Sequence, residues 1–198
     1  MLIGWDISTA VMGICVRKDD GTYTFDFRKI KGDTHLLKHR HVVQLIDDFL
    51  ADKPGPHVHI VEERLGGFTG GLTTKQTLMA LAAVNAVASL HLSYTGQVIH
   101  LSPIAVKKMV GLVVEKGVPN GKKIAAVGLV RSRHPDFPYA ETREGNWVAG
   151  TDDMADAWLL AEAGGMILSG EKVIGPKKKA KRRKGKARGV PKRGPTEG

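Results

Sequence analysis

The sequence predicts an α/β fold whose sheet begins as an antiparallel three-strand meander, and three observations predict it. Residues 1–16, MLIGWDISTAVMGICV, form two apolar runs around a stretch of small residues, the pattern of two buried strands joined by a tight connection. TYTFDFRKI follows a turn at Asp19-Asp20-Gly21 and alternates Tyr23, Phe25 and Phe27 with polar residues, as a half-exposed third strand does. From there helical and strand-like patterns alternate to about residue 168, the order expected of a layered α/β protein.

In the first strand Leu2, Ile3 and Trp5 run straight into Asp6, and Val11, Met12, Ile14, Cys15 and Val16 resume after a connection read as Ser8–Gly13. An ionised carboxylate at the end of a core strand is costly unless it is paired, hydrogen-bonded or bound to a cation. Two readings of Asp6 stay open at this point: a cap on its own turn, or one member of a carboxylate group. The lone Cys15 excludes an internal disulfide and a multi-cysteine zinc site, and its apolar neighbours make it a core filler.

Residues 34–51 place Leu36, Val42, Val43, Ile46, Phe49 and Leu50 near helical spacing, and Lys53-Pro54-Gly55-Pro56 stops the helix. His35 and His39 stand four apart on it, but with no acid or thiol beside them they read as a surface face rather than a metal site. In HVHIVEE, residues 57–63, Val58, Ile60 and Glu62 share one strand face and His57, His59 and Val61 the other, so a second strand ends in carboxylate. The glycine-rich loop 65–71 lacks the Gly-Lys-Ser/Thr ending of a nucleotide loop and is read as a mobile connection. A Leu/Ala-rich helix over 74–93, a strand over 97–101 and a short helix carrying Lys107 and Lys108 follow. Asn120 is expected to cap a further helix bearing Lys122 and Lys123. A loop rich in proline and charge over 133–150 then leads to a final helix starting near Thr151.

The charge is unevenly divided. Of 30 Lys/Arg and 20 acids, 11 basic residues and one acid, Glu197, fall in 175–198, so the excess of +10 lies in that segment and residues 1–174 are formally neutral. PKKKAKRRKGKARGVPKRGPTEG has almost nothing apolar to bury and is expected to be a disordered basic tail with a polyanion as partner. The division expected is therefore a folded domain over 1–174 and a tail over 175–198. With no membrane span and no signal peptide in view, the expected location is cytoplasmic, or nuclear through PKKKAKRRK in a eukaryotic host.

The final helix, TDDMADAWLLAEAGGMIL, carries the strongest functional signal. Thr151 is expected to cap it, and the helix dipole accounts for Asp152 and Asp153 in the first turn. It does not account for Asp156, which lies deeper, among Ala155, Ala157 and Trp158, and shares a face with Asp153. Asp6, Glu62, Asp153 and Asp156 are thus candidates for one cluster, and hard oxygen ligands of this sort suit Mg²⁺ or Mn²⁺.

Three motifs in this order, Gly4-Trp5-Asp6-Ile7-Ser8, Ile60-Val61-Glu62-Glu63 and Asp153-Met154-Ala155-Asp156-Ala157, resemble those of the RuvC-type Holliday junction resolvases, of phage or bacterial type, in the ribonuclease H-like superfamily. The resemblance covers about residues 1–168. It implies a ribonuclease H-like mixed sheet, in which the antiparallel meander is extended by two parallel strands and flanked by helices. It also implies a metal-dependent endonuclease that resolves four-way or other branched DNA. A two-fold homodimer is expected because a four-way junction has two equivalent strands to cut, and the Leu/Ala-rich helix over 74–93, with more apolar surface than one side of a sheet would cover, either forms its interface or packs inside the monomer. The metal ligands implied are Asp6, Glu62, Asp153 and Asp156, holding two ions about 3.5–4 Å apart on either side of the scissile phosphate.

Lysines near that phosphate match Lys107 and either Lys122 or Lys123, with Lys122 preferred as catalytic. Further contacts to nucleic acid fall to Lys108, Lys123 and the tail residues Lys177, Lys178, Lys179, Arg182 and Arg183. Where the resolvases carry a junction-probing aromatic three residues after the strand-end Glu, this chain has Leu65, and Phe68 is the expected substitute. The alternatives kept open are another nuclease of this fold acting on flaps or structured RNA, a non-catalytic DNA-binding protein, and an actin-like or sugar-kinase nucleotide binder. The length argues against the last, which needs two such domains.

Overall fold

The computed structural model of the 198-residue chain describes residues 1–63, 74–115, 117–143 and 146–171. The glycine-rich loop, Leu65, Phe68 and the basic tail, including Lys177, Lys178, Lys179, Arg182 and Arg183, lie outside the described residues. Strands β1 (Leu2–Ile7), β2 (Val11–Arg17) and β3 (Tyr23–Lys29) form the antiparallel meander. Helix α1 (His35–Leu50) leads to β4 (His57–Glu62), and α2 (Lys75–Leu92) to β5 (Gly96–Leu101). β4 pairs parallel with β1 and β5 parallel with β4, giving a five-stranded sheet in the order β3-β2-β1-β4-β5. Helices α3 (Pro103–Met109), α4 (Gly121–Arg133) and α5 (Thr151–Leu168) complete the fold.

Strand alternation sends side chains to two separate cores. Ile3, Trp5, Ile7, Met12, Ile14, Val16 and Val61 pack on Val42, Ile46 and Phe49 of α1 and on Val84, Ala88 and Leu92 of α2. On the other face Leu2, Cys15 and Ile60 meet α5, with Val106 of α3 and Val127 and Val130 of α4 closing the layer. Helix α5 lies directly on the strand backbones: a Cβ on Gly4 would meet the Ala157 carbonyl oxygen at 2.1 Å, and one on Gly13 the Asp153 carbonyl oxygen at 2.1 Å. Only glycine permits that approach.

Local chemistry explains most element ends. Thr34, Thr74 and Ser102 each accept a hydrogen bond from the backbone N–H three residues on, capping α1, α2 and α3 as hydroxyl N-caps do. Ser8 ties the β1–β2 connection, its hydroxyl donating to the Val11 carbonyl at 2.8 Å and accepting from the Val11 N–H at 2.9 Å.

Three local expectations need correction. The β1–β2 connection ends before Val11, so Gly13 belongs to β2 as the partner of Asp6. Asn120 precedes α4 but makes no side-chain cap bond, because at φ 55° it holds a left-handed backbone instead of the extended one a capping side chain needs. Gly150, at φ 92°, takes the cap position expected of Thr151, and Thr151 becomes the first helical residue, its hydroxyl donating to the Val148 carbonyl at 2.8 Å.

Candidate active site

Asp6 and Glu62 come from neighbouring strands and point to the same layer. In the β1–β4 ladder Gly4 pairs with Ile60 and Trp5 with Val61, so Asp6 and Glu62 are the next residues along each strand. Both follow the alternation that sends Leu2 and Ile60 toward α5. Helix α5 then crosses β2 at Gly13, opposite Asp6, with Asp153 immediately above it. The first turns of α5 are therefore seated over the strand that carries Asp6.

Electrostatics link these groups. Burial pushes the Asp156 carboxyl up to about 6; the Lys107 ammonium pulls it back, while the negative charges of Glu62, Asp152 and Asp153 raise it further. Asp153 is raised as well, first by burial and then by Asp152. Asp156 thus sits among like charges with Lys107, in the last turn of α3, as an opposing cation. This is the arrangement that raises carboxylate pKa values at functional sites.

The lysines separate clearly. Lys107 is half-buried and faces Asp156, whereas Lys108 is exposed. Lys123 is ion-paired with Asp152 and held in its charged form by that bond, with Asp153 and Asp156 adding to the effect. Lys122 lines a hollow with Val114, Glu115, Val118 and Lys123 itself, and among the described residues no ion pair to the acids is seen for it. Of the two candidates on α4, the geometry therefore brings Lys123 to the acids. Asp152, which the helix dipole alone seemed to explain, joins the site through the same pair. The two partners are 29 residues apart, and nothing in the local sequence announces their meeting.

The donor set suits a hard divalent cation, being all carboxylate oxygen with one member held in a partly buried, like-charged setting that a cation would relieve. Among the described residues no group of three or more His, Cys, Asp or Glu converges closely enough to hold a metal ion, so the acids are gathered without being closed on one point. On α1, His35 is exposed and His39 half-buried.

No family model and no curated protein matches the chain. Solved structures do. Thermus thermophilus RuvC in complex with a Holliday junction substrate superposes with a TM-score of 0.53 at 12% identity, over 86% of this chain and 95% of that one. The same organism's RuvC alone gives a TM-score of 0.51 at 15% identity, over 85% and 96%. The yeast mitochondrial Holliday junction resolvase Ydc2 gives 0.47 at 15% identity, over 82% and 76%. The mixed sheet and its helices are thus the ribonuclease H-like fold of the RuvC structures.

Proposed function

We propose that this protein is a divalent-metal-dependent endonuclease that cuts branched DNA, with four-way junctions as its preferred substrate. The observation that carries the reading is Asp156, a carboxylate pushed up to about 6 by burial beside Glu62, Asp152 and Asp153, with a lysine opposite. A cation with DNA phosphate beside it relieves that repulsion. The fold supports the reading, since it is shared with a RuvC bound to a junction.

Asp6, Glu62, Asp153 and Asp156 would hold Mg²⁺ or Mn²⁺, whose chemistry there is to lower the pKa of an attacking water and stabilise the leaving oxygen. Lys107 places a positive charge where the phosphate becomes more negative, and Lys123 offsets the acid excess at the start of α5. Fold alone does not fix substrate. The test is cleavage of labelled four-way junction, flap, duplex and RNA–DNA hybrid with and without Mg²⁺. Metal-dependent nicking of the junction is expected, and a preference for hybrid or flap would replace the substrate while keeping the chemistry.

Two further parts belong to this reading. Helix α2 exposes Met79, Ala82, Ala86 and Leu90 at successive helical turns while Val84, Ala88 and Leu92 are buried, so it has an apolar face left for a second copy. A symmetric dimer gives two sites for the two equivalent strands of a junction; a monomer mass by light scattering, free and on DNA, would remove it. Residues 175–198 supply nonspecific attraction to DNA. Engaging half of their 11 cations adds roughly −5 to the slope of log affinity against log salt, which truncation after residue 174 should abolish without loss of junction preference.

A further inference from the structure

Beside the carboxylates, α4 and the segment preceding α5 enclose a groove of about 620 Å³ in which only Lys123 and Asp152 belong to the site already described. Of the two cations on its wall, Lys123 is already paired with Asp152, which leaves the Arg131 guanidinium. What it offers is flat surface. The Arg131 guanidinium lies 3.7 Å from the centre of the Tyr139 ring, and the Tyr139 hydroxyl is tied to Glu141, so a planar cation rests on an anchored ring. Trp147 stands in the same wall, held by its bridge to Glu141. Asn120 and Asn146 add amides able to donate and accept.

A stacked guanidinium, a second aromatic ring and amide edges are the means by which proteins hold an unstacked base: its face stacks and its edge hydrogen-bonds. The groove reaches Asp152, next to Asp153 of the carboxylate group, so a base held there belongs to a strand lying across those acids. Resting on the nuclease reading, we infer that this groove is a nucleobase site, taking one unstacked base of the DNA strand to be cut and stacking it on Arg131 and against Trp147.

The test uses the full chain and four-way junctions carrying a single 5-iodouracil at successive positions around the cleaved phosphate, which cross-links on irradiation to stacked aromatic side chains. Binding is measured without Mg²⁺ so that the strand stays intact. Cross-linking to Trp147 from a position near the cut is expected. Arg131 is exposed, so its replacement leaves the core untouched. Both Arg131→Ala and Arg131→Lys should bind about tenfold more weakly, because lysine keeps the charge and loses the plane.

Parental affinity in Arg131→Lys, or cross-links mapping only elsewhere, would overturn the inference. Cleavage by the parent separates the two readings. A parent that cuts without cross-linking in the groove loses the base site and keeps the nuclease; one that cross-links there without cutting keeps the site and loses the nuclease.

Discussion

The two faces of the sheet treat a buried ionisable group in opposite ways. On the α1–α2 face the Trp5 indole N–H donates to His59 Nδ1 at 3.1 Å, which fixes the ring tautomer. His59 Nε2 then donates to the Thr95 hydroxyl at 3.0 Å, and that hydroxyl donates to the Leu92 carbonyl at 2.9 Å. The chain of bonds is closed within the protein, and burial with the neighbouring His57 pushes His59 down to about 4, so the ring is neutral. On the α5 face burial pushes Asp156 up to about 6, and Glu62, Asp152 and Asp153 add to the rise against the pull of Lys107. A polar group whose partners the fold supplies costs it little; one left among like charges keeps the cost of its burial.

The sharpest way to break this comparison is to remove the charge from Asp156. Asp156→Asn should lower junction cleavage by about 10³-fold, because the ligand is lost while the shape is kept. The same variant should melt no lower than the parent in EDTA, since a repelled carboxylate contributes nothing to the apo fold. Added Mg²⁺ should then raise the melting temperature of the parent more than that of the variant. Near-normal nicking by Asp156→Asn would place the chemistry elsewhere.

The next largest effect tests what seats α5. Gly13→Ala puts a methyl group into the Asp153 backbone, where neither partner is a flexible side chain. A loss on the order of 3 kcal/mol in denaturant unfolding is expected. Gly21→Ala, at a turn with open space around it and a φ of 82°, gives the cost of backbone strain without a clash, a strain that Gly13 does not carry. A Gly13→Ala loss no larger than that of Gly21→Ala would mean that α5 shifts to accept the methyl group and that this contact does not fix its seat.

The smallest effect is in pH dependence, and the two faces should give opposite signs. Unfolded, His59 takes up a proton near 6.5; folded, it does so only near 4. Between these values the unfolded state binds more protons, so stability falls as pH drops through the window, by on the order of 2 kcal/mol. Asp156 reverses this. Its folded value of about 6 lies above the unfolded 3.8, so in metal-free buffer it adds stability as pH falls through 6. Urea titrations from pH 7.5 to 4 should show a shallower acid loss in His59→Gln and a steeper one in Asp156→Asn. Parallel profiles for all three proteins would show that neither group titrates as its surroundings imply.

Much of this was legible before the structure, and the divide follows the range of the interaction. The meander and the order of helices and strands rest on neighbours a few residues apart, which is where periodicity operates. The misplaced ends at Gly13 and Gly150 have a different cause. Gly13 suggests a turn when read locally, but its role is to let α5 approach, and a Cβ on Gly150 would run into the Phe27 ring. The acids of β1, β4 and α5 could be named because burying a carboxylate is costly wherever it occurs. The Lys123–Asp152 pair and the stacking of Arg131 on Tyr139 depend on how α4 lies against the segments after it, which no local pattern records.

The seating of α5 on bare strand backbone also bears on how this protein can change over time. Where a helix rests on interlocking side chains, each core substitution alters the thickness of the layer and displaces whatever the helix carries. Here main chain touches main chain at Gly4 and Gly13, and that dimension is set by atoms common to every residue. The residues around these contacts, Leu2, Cys15, Ile60, Trp158 and their neighbours, are free to be exchanged for others of similar volume while the spacing between the strand acids and the helix acids stays the same. Two glycines thereby act as a fixed gauge, and sequence drift in the rest of the layer is uncoupled from the dimensions of the site.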